Sequence, residues 1–277
     1  FKQKTAYEML RSLVGSEMCI RDRGHIVCLP RETFGLNLMV YNKALFAEAG
    51  VETPDVDYAA DNWSWNVWRE KARACTRFAD DGRRETMGAT HWGVGLWTLQ
   101  IVMPSYGVNP FTDDLGHYNI DAPDVVEWIK MYVAMRNEDR SLGTSEETAQ
   151  FDWGSSGKLA IGYSATWEIP NLRQTWVDLD WDFVGPPKGD CCYSNIIGND
   201  YHVVNGSDYA DKDGGWELIK FLNSPEEDLW WAINMFGPPF RQPNLEAWKN
   251  KVAEIVPKKG WDFIDKIQAS ATGWTPV

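Results

Sequence analysis

From residue 24 onward, short apolar runs alternate with segments whose helical starts and stops are written in side-chain chemistry, which confines the chain to an α/β fold. "IVCLP" and "LNLMVY" read as strands. Asn42 is placed to cap a helix, NKALFAEAG, that buries Leu45, Phe46 and Ala49 and stops at Gly50. Ser64 is placed to cap the next helix, where Trp65, Trp68, Ala72, Cys75 and Phe78 recur at three- and four-residue steps and form one buried face. "HWGVGLW" reads as a strand leading into a loop rich in Tyr, Gly and Pro. In "DAPDVVEWIKMYVAM", Asp121 and Pro123 start a helix that buries Val125, Val126, Ile129, Tyr132 and Val133. "KLAIGY" and "WDFVGPPKG" are further strands, the second ended by a proline turn. After "IIGNDYHVV" and the helix GWELIKFLN, Ser224, Pro225 and Glu227 form a capping box that opens EEDLWWAINMFG, with Gly237 as its stop.

The first 23 residues break this pattern. "SLVGSEMCIRDR" has no period, cap or turn, and it lacks the unbroken apolar core and cleavage site of an export signal. Read back into codons, "KQKTAYEM" and "LVGSEMCIRDR" resemble in-frame translations of sequencing-library adapters. Residues 1–23 are therefore expected to be an adapter-derived artefact and are left out of the fold reading.

Composition narrows the function. With 277 residues and 44% hydrophobic content the chain can bury one large core or two moderate ones. No apolar run approaches a membrane span. A formal charge of −13 argues against nucleic acid, which requires clustered cations. Sixteen Trp, ten Tyr and eleven Phe exceed what a core of this size needs, and flat apolar faces with a polar edge suit sugars.

Enzyme signatures are absent. His25, His91, His117 and His202 show no metal-ligand spacing, and neither do Cys19, Cys28, Cys75, Cys191 and Cys192, so no metal and no cofactor are expected. Adjacent Cys191 and Cys192 do not readily bridge each other; a bridge from one of them to Cys28 or Cys75 stays open. "WGSSG" is not a nucleophile elbow, "GVGLWT" lacks the third Gly of a dinucleotide loop, and "DKDGG" lacks the Glu of a calcium loop. Glu168 beside Trp167, with Asp200, is the one carboxylate pair that would suit a glycoside hydrolase.

Seven segments in fixed order speak more clearly: "LNLMVYNKALFAEAGVETP", "NWSWNVWREKARACTRF", "YGVNPFTDDLGHYNIDAPDVVEWIKMY", "FDWGSSGKLAIGYSATWEIPNLRQ", "DFVGPPKGD", "GGWELIKFLNSPEEDLWWA" and "GPPFRQPN". Together they resemble the sugar-binding, maltose-binding-protein-like extracellular solute-binding proteins of ABC importers. The resemblance implies a two-lobed type II periplasmic-binding-protein-like α/β fold. It also implies a fragment that lacks its first N-lobe segment and its C-terminal end. Residues 24–35 would be an inter-lobe segment, 36–196 the ligand-binding C-lobe, and 197–277 the return to the N-lobe and the start of the C-terminal region. The implied role is non-catalytic: a sugar or oligosaccharide held in an inter-lobe cleft and delivered to membrane permease subunits. The subunit would be monomeric, and periplasmic or lipid-anchored on the outer face of the membrane. Moving such a hinge from mostly open to mostly closed takes about 5 kcal/mol of ligand preference for one form.

The resemblance also points to site residues. Trp167, in "SATWEIPN", matches a stacking aromatic of the family, with Glu168 beside it, and Trp97, in "GLWT", falls where cleft aromatics lie. Asn199, Asp200 and Tyr201 would occupy a loop that recrosses to the other lobe and read hydroxyls, although Asn199 or Asp200 equally suits a turn cap. Arg241, in "PPFRQPN", suits an oxygen-rich ligand or a surface ion pair. Trp63 and at least one of Trp230 and Trp231 are expected to be structural. The rival readings are a glycoside hydrolase, a carbohydrate-binding module, or a binder of another solute on the same fold.

Overall fold

The computed structural model describes residues 21–22, 25–26, 29–55, 62–91, 93–111, 116–150, 156–191, 196–201 and 211–264. The chain divides into two compact units, with crossings between residues 36 and 37, 195 and 196, and 257 and 258. The sequence reading ran its last segment on from 197 without the third of these crossings.

The larger unit, unit two, is built on a five-stranded sheet. Among the described residues, strands β1 (Arg21–Asp22) and β2 (His25–Ile26), which belong to unit one, pair with each other outside this sheet. The sheet order is β4 (Arg77–Phe78), β5 (Arg84–Thr90), β6 (Leu159–Ala165), the second half of β3 (Leu29–Asn42), and β7 (Trp181–Val184). β5 and β6 run parallel, and the other pairs are antiparallel. All seven residues of β6 are buried, as are Leu36 to Tyr41 of β3, so the central strands carry apolar side chains on both faces.

The helices follow their written caps. The Asn42 side chain accepts from the Ala44 N–H at 3.0 Å to start α1 (Lys43–Ala49), and Gly50 ends it at φ 68°. Leu45 and Phe46 are buried, whereas Ala49 is only partly so. Ser64 caps α2 (Trp65–Cys75) by accepting from Val67. Its buried stripe of Trp65, Trp68, Ala72 and Cys75 packs on β5, where an added Cβ at Gly88 would lie 1.8 Å from the Ala72 carbonyl oxygen. Only glycine lets helix and strand approach that closely.

Several expectations need correction. Phe78 is not on the α2 stripe: the helix stops at Cys75, and Phe78 stands in β4 with the Arg140 guanidinium 4.3 Å from its ring centre. Strand β5 ends at Thr90, before "HWGVGLW", and the expected strand-to-loop passage is instead helix α3 (Leu96–Ser105), which starts without a side-chain cap, contains Pro104 and is apolar nearly all round. Helix α4 (Pro123–Asn137) has Ala122, not Asp121, at its cap, and it turns Trp128, Met131 and Met135 inward with Val125 and Tyr132. Val133 is exposed instead, and Val126 and Ile129 are only partly covered. The selector is tertiary: the Trp128 ring packs edge-on against Trp65 at 5.4 Å, contact that the alternative stripe cannot make. Cys75 and Cys191 are both free thiols, so neither forms the disulfide left open by the sequence. Burial raises the Cys75 thiol to about 11. Cys19, Cys28 and Cys192 lie outside the described residues.

After residue 257 the chain returns to unit two. Lys258 donates to the Trp181 carbonyl at 2.6 Å, Gly260 donates to the Asp182 carboxylate at 3.1 Å, and Trp261 packs on Phe183 at 4.9 Å.

Unit one contains the first half of β3 paired antiparallel with β8 (Ile196–Tyr201). Around this ladder the described chain adds α7 (Lys212–Leu222), α8 (Pro225–Met235) and α9 (Leu245–Ile255), with α5 (Ser145–Gln150) and α6 (Ile169–Thr175) belonging to unit two. Asp211 caps α7 through Gly214, and Ser224 caps α8 through Glu227. The stop of α8 is Phe236 in the left-handed conformation at φ 56°, one residue before the expected Gly237. Trp248 is fully buried and its indole N–H donates to the Ala232 carbonyl at 3.0 Å. Trp230 is exposed and Trp231 half-buried, so Trp231 is the more covered of the pair.

Asp228 locks the loop after α8. Its carboxylate, 2% exposed, accepts from the backbone N–H of Phe240 at 3.1 Å and of Arg241 at 3.3 Å, and from the Asn244 amide at 2.7 Å. Burial outweighs these donors and raises its pKa to about 6.

Candidate functional site

Unit two concentrates its irregular chain at one sheet edge. In the parallel pair, Thr90 of β5 stands opposite Gly162 of β6, so both strands run out on the same side. β5 leads through His91 and Gly93 (φ 96°) into the first turn of α3, where Trp97 is 56% exposed. β6 leads into a 3-10 turn, Thr166–Glu168, and then into α6. Thr166 is buried, while Trp167 and Glu168 are half-buried. Asn37 of β3 pairs with Ala165 at this edge, and the end of β7 arrives beside it through Val184 opposite Met39. In open α/β sheets the carboxyl ends of parallel strands are where the backbone diverges and ligands find room.

Just after β5, His91 lies among aromatic rings. His91 sits with its ring centre 4.4 Å from Tyr163, 5.5 Å from Trp68, 5.6 Å from Tyr132 and 6.1 Å from Trp128. Burial in this setting lowers its pKa to about 3, opposed only by a backbone contact with Gly93, so the imidazole is neutral at physiological pH. Such a histidine does not exchange protons near neutrality. No local motif marks it; its neighbours come from α2, α4 and β6, so only the fold brings them together.

Trp63 supports the same edge structurally. Its side chain is fully buried, its indole N–H donates to the Gly185 carbonyl at 2.8 Å, and backbone bonds tie Lys188 to Trp63 and Trp65 to Lys188 at 3.1 Å each. These bonds fix the chain just beyond β7 against the start of α2.

Of the residues singled out from the sequence, Trp97, Trp167 and Glu168 emerge from the ends of the neighbouring strands β5 and β6. Asn199, Asp200 and Tyr201 belong to unit one. They lie in a strand, not the expected loop, with Asn199 paired to Glu32, Asp200 to Pro30 and Tyr201 to Leu29, and the structure describes their backbone only. Arg241, also in unit one, directs its guanidinium to the Asn223 carbonyl, through Nε at 3.1 Å and through Nη2. It thereby caps the last turn of α7. Among the described residues no cluster of His, Cys, Asp and Glu is arranged to hold a metal ion, and no helix is long and apolar enough to cross a membrane.

Comparison with known proteins agrees with this architecture. The model of the bacterial extracellular solute-binding protein family matches residues 31–228. A protein of Brucella abortus (strain 2308) carrying a binding-protein name is 22% identical over 211 residues, which is 70% of this chain and 47% of that protein. The chain thus spans about half the length of the curated relatives it matches. Among solved structures, the ABC substrate-binding protein Lmo0181 from Listeria monocytogenes, in complex with cycloalternan, superposes with a TM-score of 0.75 at 17% identity, over 96% of this chain and 67% of that one. The cyclic alpha-maltosyl-1,6-maltose binding protein from Arthrobacter globiformis gives 0.68 at 17% identity, over 94% and 65%. The maltose/maltodextrin-binding domain MalE from Bdellovibrio bacteriovorus, bound to maltotriose, gives 0.69 at 14% identity, over 98% and 67%. These likenesses identify the fold as that of the two-lobed type II periplasmic binding proteins. The family match covers most of the chain, and this chain belongs to the bacterial extracellular solute-binding protein family.

Proposed function

We infer that this chain is part of the substrate-binding subunit of an ABC-type carbohydrate importer, and that it takes an oligosaccharide at the strand-end edge of unit two. The observation that carries this reading is the placement of Trp97 and Trp167, one exposed and one half-buried, on the connections that leave adjacent parallel strands. An indole offers a flat apolar face to the C–H face of a sugar ring, and two of them off neighbouring strands suit a ligand of more than one ring. Glu168, next to Trp167, adds a carboxylate acceptor for sugar hydroxyls. Solved relatives of the same fold hold cycloalternan and maltotriose, which supports a glucan-like ligand.

The subunit would release its ligand unaltered to membrane permease partners, as a monomer in the periplasm or lipid-anchored on the outer face of the membrane. Asn199, Asp200 and Tyr201 remain candidate hydroxyl readers within unit one. Arg241 serves the Asn223 carbonyl through Nε and Nη2, and it stays a candidate donor to an oxygen-rich ligand.

Calorimetric titration with maltotriose, mannobiose and a cyclic glucan tests the reading. Saturable binding is expected, with Trp167→Ala weakening it about 5- to 30-fold, the cost of about 1–2 kcal/mol of lost stacking. Glycan cleavage on incubation, or the absence of binding to every glycan, would overturn it.

A further inference from the structure

The strand-end edge of unit two is depleted of charge. Residues 90–105, which carry Trp97, and residues 165–172, which carry Trp167, contain one Asp, Glu, Lys or Arg among 24, and it is Glu168. The whole chain is 24% charged, so the depletion is local to this edge. The other two strands that reach it add no charge. Asn37 lies between Leu36 and Leu38 on β3, and β7 continues into Gly185, Pro186 and Pro187.

Glu168 carries that one charge without a cation to balance it. The residue is half-buried and stands at the cap of α6, yet its side chain makes no cap bond there. Among the described residues no Lys, Arg or His forms an ion pair with its carboxylate. The other titratable group on these connections, His91, does not supply the missing cation, because burial holds its imidazole neutral near pH 7. The uncapped first turn of α3 offers backbone N–H groups worth about half a positive charge, and these serve a neutral hydroxyl oxygen as well as an anion.

The charge of the ligand follows from this balance. A sugar hydroxyl donates to an unpaired carboxylate in a charge-assisted bond. A second carboxylate, or a sulfate, would instead leave water beside a like charge with no cation to offset it, and the indoles on both connections keep the local dielectric low. Repulsive contacts of this kind set specificity as much as attractive ones do.

We propose that Glu168 is a specificity-determining residue that admits neutral glycans to the strand-end edge and refuses anionic ones, whether uronate-bearing or sulfated. The inference rests on the carbohydrate reading above and names the charge class of its ligand.

Calorimetric titration of this chain at pH 7 provides the test, with maltotriose and mannobiose each set beside two counterparts, one carrying a C6 carboxylate on a single ring and one carrying the C6 carboxamide. The carboxylate form should bind about tenfold or more weakly than its parent, and the carboxamide, alike in shape but uncharged, within about threefold of it. In Glu168→Gln the ratio of carboxylate to parent should fall to about threefold or less, whatever the substitution does to the affinity of the parent itself. A carboxylate form that binds as tightly as its parent overturns the proposal and leaves the carbohydrate reading intact. Equal weakening of carboxamide and carboxylate overturns it in favour of shape, and a ratio unchanged in Glu168→Gln overturns the role of this residue. Binding of no glycan at all overturns the carbohydrate reading and this inference with it.

Discussion

The two units treat the same kind of residue in opposite ways. Unit two encloses Trp63, Trp65, Trp68 and Trp128, each at most 2% exposed, between helices and a five-stranded sheet. Among the described residues, unit one buries Trp248 yet leaves Trp216 and Trp230 about half exposed, and its β3–β8 ladder has two strands. The difference lies in the platform and not in the helices. A sheet with enough strands gives each apolar helix face something to cover, and a narrow ladder leaves the outer part of the same amphipathic pattern in water.

The largest effect that sharpens this contrast is a pair of truncations followed by urea denaturation. Trp128→Ala removes a ring packed against Trp65, Tyr132 and His91 and should cost about 3–5 kcal/mol. Trp230→Ala should change stability by no more than about 0.5 kcal/mol, because water already reaches its ring. Equal costs would show that the two units do not differ as described.

Acid separates the units by sign. His91 has a folded pKa of about 3, below its ordinary value, so its contribution is complete above pH 6.5 and is lost as pH falls. By pH 4 the loss reaches about 3 kcal/mol, and His91→Phe should remove that part of the slope. Asp228 works the other way. Its folded pKa is raised to about 6, so the folded state holds its proton more tightly than the unfolded one, and stability falls as pH rises from 4 through 6. The change is about 2 kcal/mol between pH 4 and pH 7, and Asp228→Asn should flatten it. Unfolding curves collected at several pH values for both variants check the two signs, and matching slopes would contradict the burial argument.

The smallest expected effect is on stability at the candidate site. Trp97→Ala should shift the unfolding midpoint by no more than about 0.5 kcal/mol, since the ring is exposed, while glycan affinity falls several-fold. A stability loss comparable to that of Trp128→Ala would make Trp97 a packing residue.

Much of unit two was legible because its helices announce themselves. Asn42, Gly50 and Ser64 act where their chemistry placed them, and the "LAIGY" of "KLAIGY" lies in a fully buried strand. Helix α3 was not legible. It begins at Gly95 with no side-chain cap, carries Pro104 near its end and has no polar stripe, so neither caps nor period reveal it. The inward face of α4 was ambiguous because two apolar sets share its surface, and only Trp65 and His91, brought from elsewhere in the chain, choose between them. The candidate site divides in the same way. Trp97 and Trp167 stand out through the resemblance to the solute-binding family, whereas the His91 cage draws on three elements distant in sequence and carries no local motif. For Arg241, nothing in "PPFRQPN" shows the Asn223 carbonyl that it caps.

The central claim is that carbohydrate is held by the indoles of the strand-end edge, and labelling the chain with 5-fluorotryptophan reads it most directly. On titration with maltotriose and a cyclic glucan, the fluorine resonances of Trp97 and Trp167 should shift saturably, those of the buried Trp63 and Trp128 should stay in place, and the glycan should be recovered intact. Silence of Trp97 and Trp167 toward every glycan, or a glycan returned as cleavage products, would contradict the account.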